Sequence, residues 1–379
     1  MQLELTEHQR LTKDAARKFA AQHLAPFAAG WDKKEEFPAQ ALQKLGEAGF
    51  LAMLVPEDEG GTGAGAVAYA LAIMELAEGC PATTVTMSVT NMVADVISRF
   101  GTPEQKQRYL PKFADGSFLC ASFSLSEPGA GSDAAGLKAR ADQDGDDYVL
   151  NGEKAWVSHG EEASLYLIMA QVDQGGGKLK PTAFLVERGA KGLSVGRREE
   201  KMGLRASHTC GLVLDGLRVP KTAILGGEGN GLKVALTALD GGRIGVGAQA
   251  IGIARAALQA SLKYAKDRQT FGKAIGEFQA IQWKLANMAT ELDAATLLVL
   301  RAAEMREKKQ PCTKEAAMAK LFATDAAYRV CNEAVQIHGG YGYIGEFPVE
   351  RHFRDVRVTQ IYEGANEIQR IVIARAVLS

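Results

Sequence analysis

Charge of one sign is missing from this 379-residue chain: 44 Lys and Arg stand against 45 Asp and Glu, a formal net charge of −1. That balance excludes the broad basic footprint of a nucleic-acid binder, and it gives no electrostatic pull toward an anionic membrane surface. An acidic ligand must then be met locally, by a few placed Arg and Lys side chains and by backbone N–H groups. Cysteine is scarce. Cys80, Cys120, Cys210, Cys312 and Cys331 lie far apart, with no CxxC pair and no His-rich cluster beside them. This argues against structural zinc and against a disulfide framework, and the five read as small buried residues in a reducing compartment. No stretch approaches the roughly 20 apolar residues of a membrane span. The N-terminus MQLELTEHQR lacks an apolar signal core and carries acidic residues that a mitochondrial transit peptide avoids. The expectation is a cytoplasmic protein, or the mature form of a mitochondrial-matrix protein whose leader has been removed.

Hydrophobic residues make up 46% of the chain and charged residues 23%, an ordinary globular composition. The length is too great for one ordinary core, and about two or three domains are expected. Three composition zones follow. Residues 1–120 read as helical: Thr6 and Gln9 have the spacing of a capping box, and Leu11, Ala15 and Phe19 follow along one face. A further run, AVAYALAIMELAEG, is ended by Gly79 and Pro81, and EDEGGTGAG is too rich in glycine for regular structure. Residues 121–233 change period. FLCASFSL, YVLNGEKAWVS, SLYLIMAQV, TAFLVE and CGLVLDGLRVP are short strand-like runs separated by DQDGDD, DQGGGK and ERGAKG. With no helices between them they predict an antiparallel barrel or sandwich and disfavour a Rossmann unit. From 234 to 379 the helical period returns in three long runs, whose apolar faces predict a bundle with part of its surface buried between subunits. The fold class is α+β, in the order helical domain, β-domain, helical bundle.

Four segments stand out. In SLSEPGAGSDAAG the glycines let backbone approach a ligand, and Ser126, Ser132 and Asp133 offer hydroxyls and an acceptor; ordinary turn punctuation has the same look. In KAWVSHG, Trp156 suits stacking on a planar ring and Ser158 suits hydrogen bonding to its edge, although a core Trp with a strand-end Ser fits as well. Arg268 and Gln269 of DRQTFG stand just past a long helix, and HGGYGY begins where another ends. Backbone donors and a guanidinium can hold a pyrophosphate there, and GGYG has more glycine than a helix cap requires. In IYEGANEIQRIVIARA, Glu363 precedes Gly364 and a helix-forming stretch; alone, it reads equally as a capping acid.

Together the four segments resemble, in order and approximate spacing, the acyl-CoA dehydrogenase family over nearly the whole chain. LSEPGAGSDAAG is similar to that family's first signature. The run from Gln336 through Gly339, Gly340, Gly342 and Tyr343 to Arg351 and Asp355 is similar to its second, and YEGANEIQR to its catalytic loop. ALDGGRIGVGAQAIGIARAAL looks most like the short-chain, butyryl-CoA branch. The resemblance implies a helical domain, a β-barrel and a four-helix bundle, assembled as a homotetramer (a dimer of dimers), with FAD between β-domain and bundle. It implies that Leu125 and Ser126 contact the flavin ring, that Trp156 stacks against it, and that Ser158, where Thr is frequent in the family, bonds near its hydride-accepting nitrogen. Arg268, Gln269, Phe271, Gln336, Gly339 and Gly340 are implied contacts to the adenine-diphosphate part across a subunit interface, and Asn366 and Glu367 are implied FAD contacts. Ser132, Asp240 and Arg243 lie along the CoA arm by the same analogy, and Gly364 lies beside the substrate.

The implied reaction is α,β-dehydrogenation of an acyl-CoA, with electrons passing to an electron-transfer flavoprotein. Glu363 takes the α-proton while a hydride leaves the β-carbon for the flavin. The backbone N–H of Glu363 and a ribityl hydroxyl of FAD hold the thioester carbonyl as an oxyanion hole. An apolar acyl chain that expels water raises the pKa of the carboxylate into a useful range. Some branches of the family place the base immediately before the arginine matching Arg243. That position is Gly242 here, which cannot take a proton, so the resemblance implies Glu363 as the base. Two positions depart from the family pattern: His159 stands where Asn is common, and His208 where Asp or Ser is. They read as surface variation or, more sharply, as readers of a polar acyl tail. The rival functions are an oxygen-using acyl-CoA oxidase or flavin monooxygenase on the same scaffold, and a DNA-associated alkylation-response relative. The latter expects a longer chain with a basic C-terminal region.

Overall fold

The computed structural model describes residues 4–379, so the reading of MQLELTEHQR begins on three residues outside those described. Helix α1 (Glu7–Phe19) starts on the expected capping box: the Gln9 N–H donates to Thr6 Oγ1 at 3.2 Å and the Thr6 N–H to Gln9 Oε1 at 3.0 Å. Its buried face differs from the expected one. Leu11 and Ala15 are exposed, and Ala16, Phe19 and Ala20 point inward. A π-helical turn at Ala20–Leu24 continues α1, with Ala20 and Leu24 buried. Helices α2 (Ala28–Lys34) and α3 (Ala39–Glu47) follow. Then come α4 (Gly65–Gly79), α5 (Pro81–Phe100) and α6 (Pro103–Ala114). Pro81 opens α5 at a position where its missing N–H costs nothing, so α4 and α5 meet at a corner.

The β-unit runs from β1 (Ala121–Ser124) through β2 (Arg140–Asp144), β3 (Asp147–Ser158) and β4 (Leu165–Asp173). It continues through β5 (Leu179–Glu187), β6 (Leu193–Arg198), β7 (Thr209–Pro220) and β8 (Ile224–Leu225). These eight strands form one sheet in the order β6-β7-β3-β2-β4-β5-β8, with β1 also on β4. The all-antiparallel expectation needs correction, because β1 and β2 both pair with β4 in parallel. Strand β1 enters from the helical region with no hairpin partner before it, so no tight turn forces it to reverse against its neighbour. Nor does the sheet close: β6 and β8 are its ends.

Strand β4 shows how the sheet joins its surroundings. Every residue from Leu165 to Val172 is buried, and alternation divides them between two cores. Leu165, Leu167 and Met169 join the helical core, while Tyr166, Ile168, Ala170 and Val172 join the core of the sheet domain. Each fully buried Leu, Ile, Met or Val among them contributes about 1.5–3 kcal/mol.

Helix α7 (Gly231–Asp267) is 37 residues long and follows the sheet. After the short hairpin β9 (Gln269–Thr270) and β10 (Lys273–Ala274) come α8 (Gln279–Glu307), α9 (Thr313–His338), α10 (Val349–Val356) and α11 (Asn366–Leu378). Helices α7, α8, α9 and α11 are the expected bundle, and α7 also packs on α4 and α5. Small residues along α7 permit this approach: a Cβ on Gly252 would fall 2.4 Å from the Met74 carbonyl oxygen. A polar joint ties the three zones together. Arg354 Nη2 meets Asp32 Oδ2 at 2.7 Å, and Asp355 Oδ1 accepts the Leu204 N–H at 2.6 Å. All five cysteines are free and buried. Among the described residues no helix is long and apolar enough to cross a membrane.

Candidate active site

The segment between α10 and α11 carries two successive residues in the left-handed region, Glu363 (φ 55°) and Gly364 (φ 84°). For glycine this is free; for a glutamate it costs about 1–3 kcal/mol and persists only where surroundings impose it. Here they do. Gln369 Nε2, from the first turn of α11, donates to the Glu363 and Gly364 carbonyls at 3.2 and 2.8 Å. Lys320 Nζ on α9 donates to the Gly364 carbonyl at 3.0 Å and to Asn366 Oδ1 at 2.8 Å. On the other side the Tyr362 hydroxyl donates to Gln249 Oε1, and Gln249 Nε2 is fixed by the Pro81 carbonyl at 2.7 Å and Thr84 Oγ1 at 3.0 Å. The loop is thus pinned from α7, α9 and α11.

Held this way, Glu363 directs its carboxylate at α7. Its Oε2 is buried without a hydrogen-bond partner among the described residues, and a Cβ on Gly242 would lie 2.6 Å from that oxygen. The glycine that rules itself out as a base therefore makes the space in which Glu363 sits. Burial pushes the Glu363 pKa up to about 7, against the lowering pull of Arg243 and Lys320. A carboxylate so poised can accept a proton near neutral pH. Among the described residues the Glu363 N–H donates to no backbone carbonyl, which leaves it for an outside acceptor. Arg243 is buried, with Nη1 on Asp240 Oδ1 at 2.8 Å and Nε without a partner. Asp240 is engaged twice, since its Oδ2 accepts the Thr313 hydroxyl at 2.8 Å.

Leu125, Ser126, Trp156 and Ser158 come together on the sheet. The Ala155 N–H donates to the Ser126 carbonyl at 2.9 Å, and Ser122 Oγ donates to the Ser158 carbonyl at 2.6 Å. A register shift against β7 between Lys154 and Val157 turns Trp156 outward (φ 58°), where its indole is 65% exposed. A large ring aimed out of a sheet, beside a backbone loop with free hydroxyls, is a platform for a planar ligand. Two residues that the sequence reading passed over build this platform. Lys154 Nζ, fully buried, donates to the Leu125 carbonyl at 3.3 Å and to Glu127 Oε1 at 2.7 Å. Glu127 in turn accepts the Lys138 and Ala139 N–H groups at 2.7 and 3.0 Å, closing the loop that carries the exposed Ser132.

A second cluster lies at the far end of the bundle. Arg268 caps α7 and stacks over the Tyr341 ring at 5.4 Å, in a cleft shared with His338, Gly339 and Gly340. A Cβ on Gly339 or Gly340 meets nothing, so this backbone is open to approach. Gln269, Gln336 and the 92%-exposed Phe271 are also at the surface. Asn366 is not: it is buried, with Nδ2 on Thr324 and Asp325 and Oδ1 on Lys320, so its side chain braces α11 inward. Glu367 is exposed in the first turn of the same helix.

The reading of His159 and His208 as surface variation is overturned. His159 is completely buried, with Nε2 at 2.8 Å from Thr86 Oγ1 and 3.0 Å from Ser207 Oγ. Burial pushes its pKa down to about 3, so it stays neutral. His208 is buried between Glu162 and the Glu35 carbonyl. Both join the N-terminal helices to the sheet through Phe37, which packs against each ring. Lone histidines between strands carry no periodic signal, which is why the sequence left them on the surface.

Models of the acyl-CoA dehydrogenase N-terminal, middle and C-terminal domains match residues 6–117, 122–217 and 229–378 in turn. The short-chain specific acyl-CoA dehydrogenase of Bos taurus mitochondria is 46% identical over 98% of this chain and 90% of its own length. The structure of butyryl-CoA dehydrogenase from Megasphaera elsdenii superposes with a TM-score of 0.97 at 41% identity, covering 100% of both chains. A glutaryl-CoA dehydrogenase from Mycobacterium smegmatis, solved in complex with FADH2, does so at 0.93 and 32% identity, covering 98% of this chain and 95% of that one. This chain belongs to the acyl-CoA dehydrogenase family, flavin-dependent oxidoreductases that act on the CH–CH bond of acyl-CoA thioesters.

Proposed function

We propose that this chain dehydrogenates short-chain acyl-CoA thioesters to the 2-enoyl-CoA, with Glu363 as the base and FAD as the cofactor. The observation that carries the reading is the Glu363 carboxylate, locked on a left-handed loop with one oxygen buried and unpartnered against Gly242. FAD, when bound, supplies the acceptor for the β-hydride. The exposed Trp156 platform with Leu125, Ser126 and Ser158 fits its ring system, and the open Gly339–Gly340 backbone beside Arg268 fits a diphosphate. The chain's own part is to orient and to move one proton. The Glu363 N–H stands free to polarise a thioester carbonyl, which acidifies the α-carbon, and the carboxylate then takes the α-proton. Arg243 and Lys320 offset the charge of the ionised base.

A short acyl chain suits the space beyond the base. One turn along α7 from Gly242, about 4.5 Å at 1.5 Å per residue, Gly245 is covered by two hydroxyls. A Cβ there would fall 2.7 Å from Ser88 Oγ and 2.8 Å from the Tyr69 hydroxyl, which are hydrogen-bonded to each other at 3.1 Å. A hydroxyl pair this close to the base favours a short acyl chain over a long one. The separation of the Arg268 cleft from the Trp156 platform, with exposed apolar side chains such as Phe271 and Tyr343 near the cleft, supports a site completed by a neighbouring subunit, in a dimer of dimers. An electron-transfer flavoprotein is the proposed acceptor of the electrons.

The test is anaerobic flavin bleaching with a panel of straight-chain acyl-CoAs. Butyryl-CoA is expected to bleach fastest and octanoyl-CoA at least about tenfold slower, one factor of ten per 1.36 kcal/mol of lost transition-state binding. The bleaching rate should rise with pH through about 7, as Glu363 loses its proton and becomes the active base. A rate flat across pH 6–8.5, or a preference for long chains, overturns the corresponding part of the reading. Reoxidation fast with electron-transfer flavoprotein and slow with oxygen is expected; the reverse marks an oxidase. Gly242→Ala should leave the fold intact, because the atom its Cβ meets is the end of a flexible side chain. By displacing the carboxylate it should lower the bleaching rate by up to about 10²-fold, read by stopped-flow absorbance with the melting temperature measured alongside.

A further inference from the structure

Lysine is among the residues least often fully buried, and burial without a carboxylate in direct contact is rarer still. Lys320 is 0% exposed, and the groups that receive its Nζ protons are neutral: the Gly364 carbonyl at 3.0 Å and Asn366 Oδ1 at 2.8 Å. Its neighbours along α9 are Ala316, Ala319 and Ala323, all fully buried, so an apolar side chain is what packing alone calls for there. An ammonium is costly to strip of water, and core packing alone gives no reason to place one here. What the ammonium does hold is the residue directly after the catalytic glutamate and the first residue of the helix that follows.

We propose that Lys320 is a positioning residue: by clamping the Gly364 carbonyl and Asn366 it holds Glu363 in its left-handed conformation and keeps a positive charge within range of the carboxylate. This rests on Glu363 being the base. The clamp has a defined geometry. Gln369 Nε2 takes the same Gly364 carbonyl from the α11 side at 2.8 Å, so the oxygen is gripped by two donors from two helices. Asn366, its Oδ1 on Lys320, donates through Nδ2 to Thr324 Oγ1 at 3.0 Å and Asp325 Oδ1 at 2.7 Å, which fastens the start of α11 to α9. Rotation of Glu363 out of the left-handed region would carry the Gly364 carbonyl away from both donors.

The charges facing each member of the pair are few. Arg243 from α7 and Lys320 from α9 bear on Glu363, which also bears on the hydroxyls of Tyr69 and Tyr362. Around Lys320 stand Glu363, Asp325, Glu367 and Arg243. Burial holds the lysine pKa down to about 7, while Glu363, Asp325 and Glu367 favour its charged form. Taking the positive charge away removes one of two attractions that favour the Glu363 carboxylate, so the glutamate must then titrate at higher pH.

The test is Lys320→Met in the FAD-loaded protein, beside the unsubstituted chain. Flavin content should stay near stoichiometric, because Lys320 touches no proposed cofactor contact except the buried Asn366. Bleaching by butyryl-CoA at pH 7 should fall about 10–100-fold, the range expected when a reacting group is misplaced by an ångström or less. The midpoint of its pH profile should move upward. Amide hydrogen exchange, which needs no turnover, should speed up in residues 361–369 and not in the rest of α9 or in α7. An unchanged rate and midpoint in flavin-loaded protein overturns the proposal, as does a loosening spread evenly over the bundle, which marks a merely structural lysine. If Lys320→Met does not retain flavin, Lys320→Arg decides. It keeps the charge and shifts the donors, so a slower rate with an unmoved midpoint supports the clamp, and a rate equal to that of the unsubstituted chain overturns it. Failure of the functional reading itself is distinguishable, because the unsubstituted chain would then not bleach with any acyl-CoA.

Discussion

Replacing Glu363 by Gln lowers the rate of anaerobic flavin bleaching by a saturating short-chain acyl-CoA by about 10²–10⁴-fold, the contribution typical of a positioned general base. The amide has nearly the shape of the carboxyl group and keeps the loop: the contacts that fix its conformation are made by the backbone carbonyls of Glu363 and Gly364, which the substitution leaves in place. Flavin content and the melting temperature should therefore change little, and the latter can rise, since a carboxyl group whose Oε2 is buried and unpartnered is itself a cost. Acyl-CoA should still bind, seen as a perturbed flavin spectrum without bleaching. No second carboxylate stands ready to take over. Gly242 offers no side chain, and Asp240 has one oxygen on Arg243 and the other on Thr313. Bleaching by the Glu363→Gln protein at the parental rate, with every thioester of the panel, would remove the base from this site and the mechanism with it.

Much of this architecture was written in residue pattern, and the parts that were not share a cause. Strand β4 was legible because seven of eight successive buried residues, all but Gln171, are apolar. Strands β2 and β6 were not, because both are short and mostly exposed, with Ala141 the only apolar residue of β2 and Leu193 and Val195 the only ones, glycine aside, of β6. Glu363 stands out in the sequence through its resemblance to a family signature, YEGANEIQR; its local pattern alone reads equally as a helix cap, and the left-handed Glu–Gly pair that sets it apart is visible only in the backbone. The groups that hold it are remote in sequence. Gln249 on α7 and Lys320 on α9 are polar residues within apolar stripes, a visible oddity, but their partners are set by how helices cross and no spacing encodes that. The capping box at Thr6 was legible as a three-residue pattern. The inner face of α1 was misjudged, because the spacing of Leu11, Ala15 and Phe19 marks one face while the core takes Ala16 and Phe19, and which side of the helix meets the core is set by tertiary packing. Asn366 shows the limit for site residues: the family resemblance implies contact with the cofactor, and only the packing of α11 on α9 shows that its carboxamide turns inward.

The largest loss of stability should follow from Lys154→Met. Lys154 and Glu127 are 1% and 5% exposed, their charged atoms are 2.7 Å apart, and the pair lies under the loop that bears Leu125 and Ser126. Breaking such a pair on one side leaves the other charge uncompensated in the interior, at a cost of about 3–5 kcal/mol. Glu127 retains the Lys138 and Ala139 N–H donors, which favours the low end of that range. Because Lys154 also holds the Leu125 carbonyl, the damage should concentrate where the flavin ring is proposed to rest. The substituted protein is then expected to unfold at lower denaturant and to lose FAD more readily on dilution, while any flavin it keeps still bleaches with acyl-CoA, since Glu363 is untouched. Pairing it with Glu127→Gln separates charge from packing. The double variant no longer buries a lone carboxylate, so its loss should fall short of the sum of the two single losses by more than about 1 kcal/mol, a coupling within the range for residues in direct contact. Additive losses in the two single variants would mean that the ion pair is not what fixes the loop, and the proposed flavin platform would then have to draw its order from the Ala155–Ser126 and Ser122–Ser158 contacts.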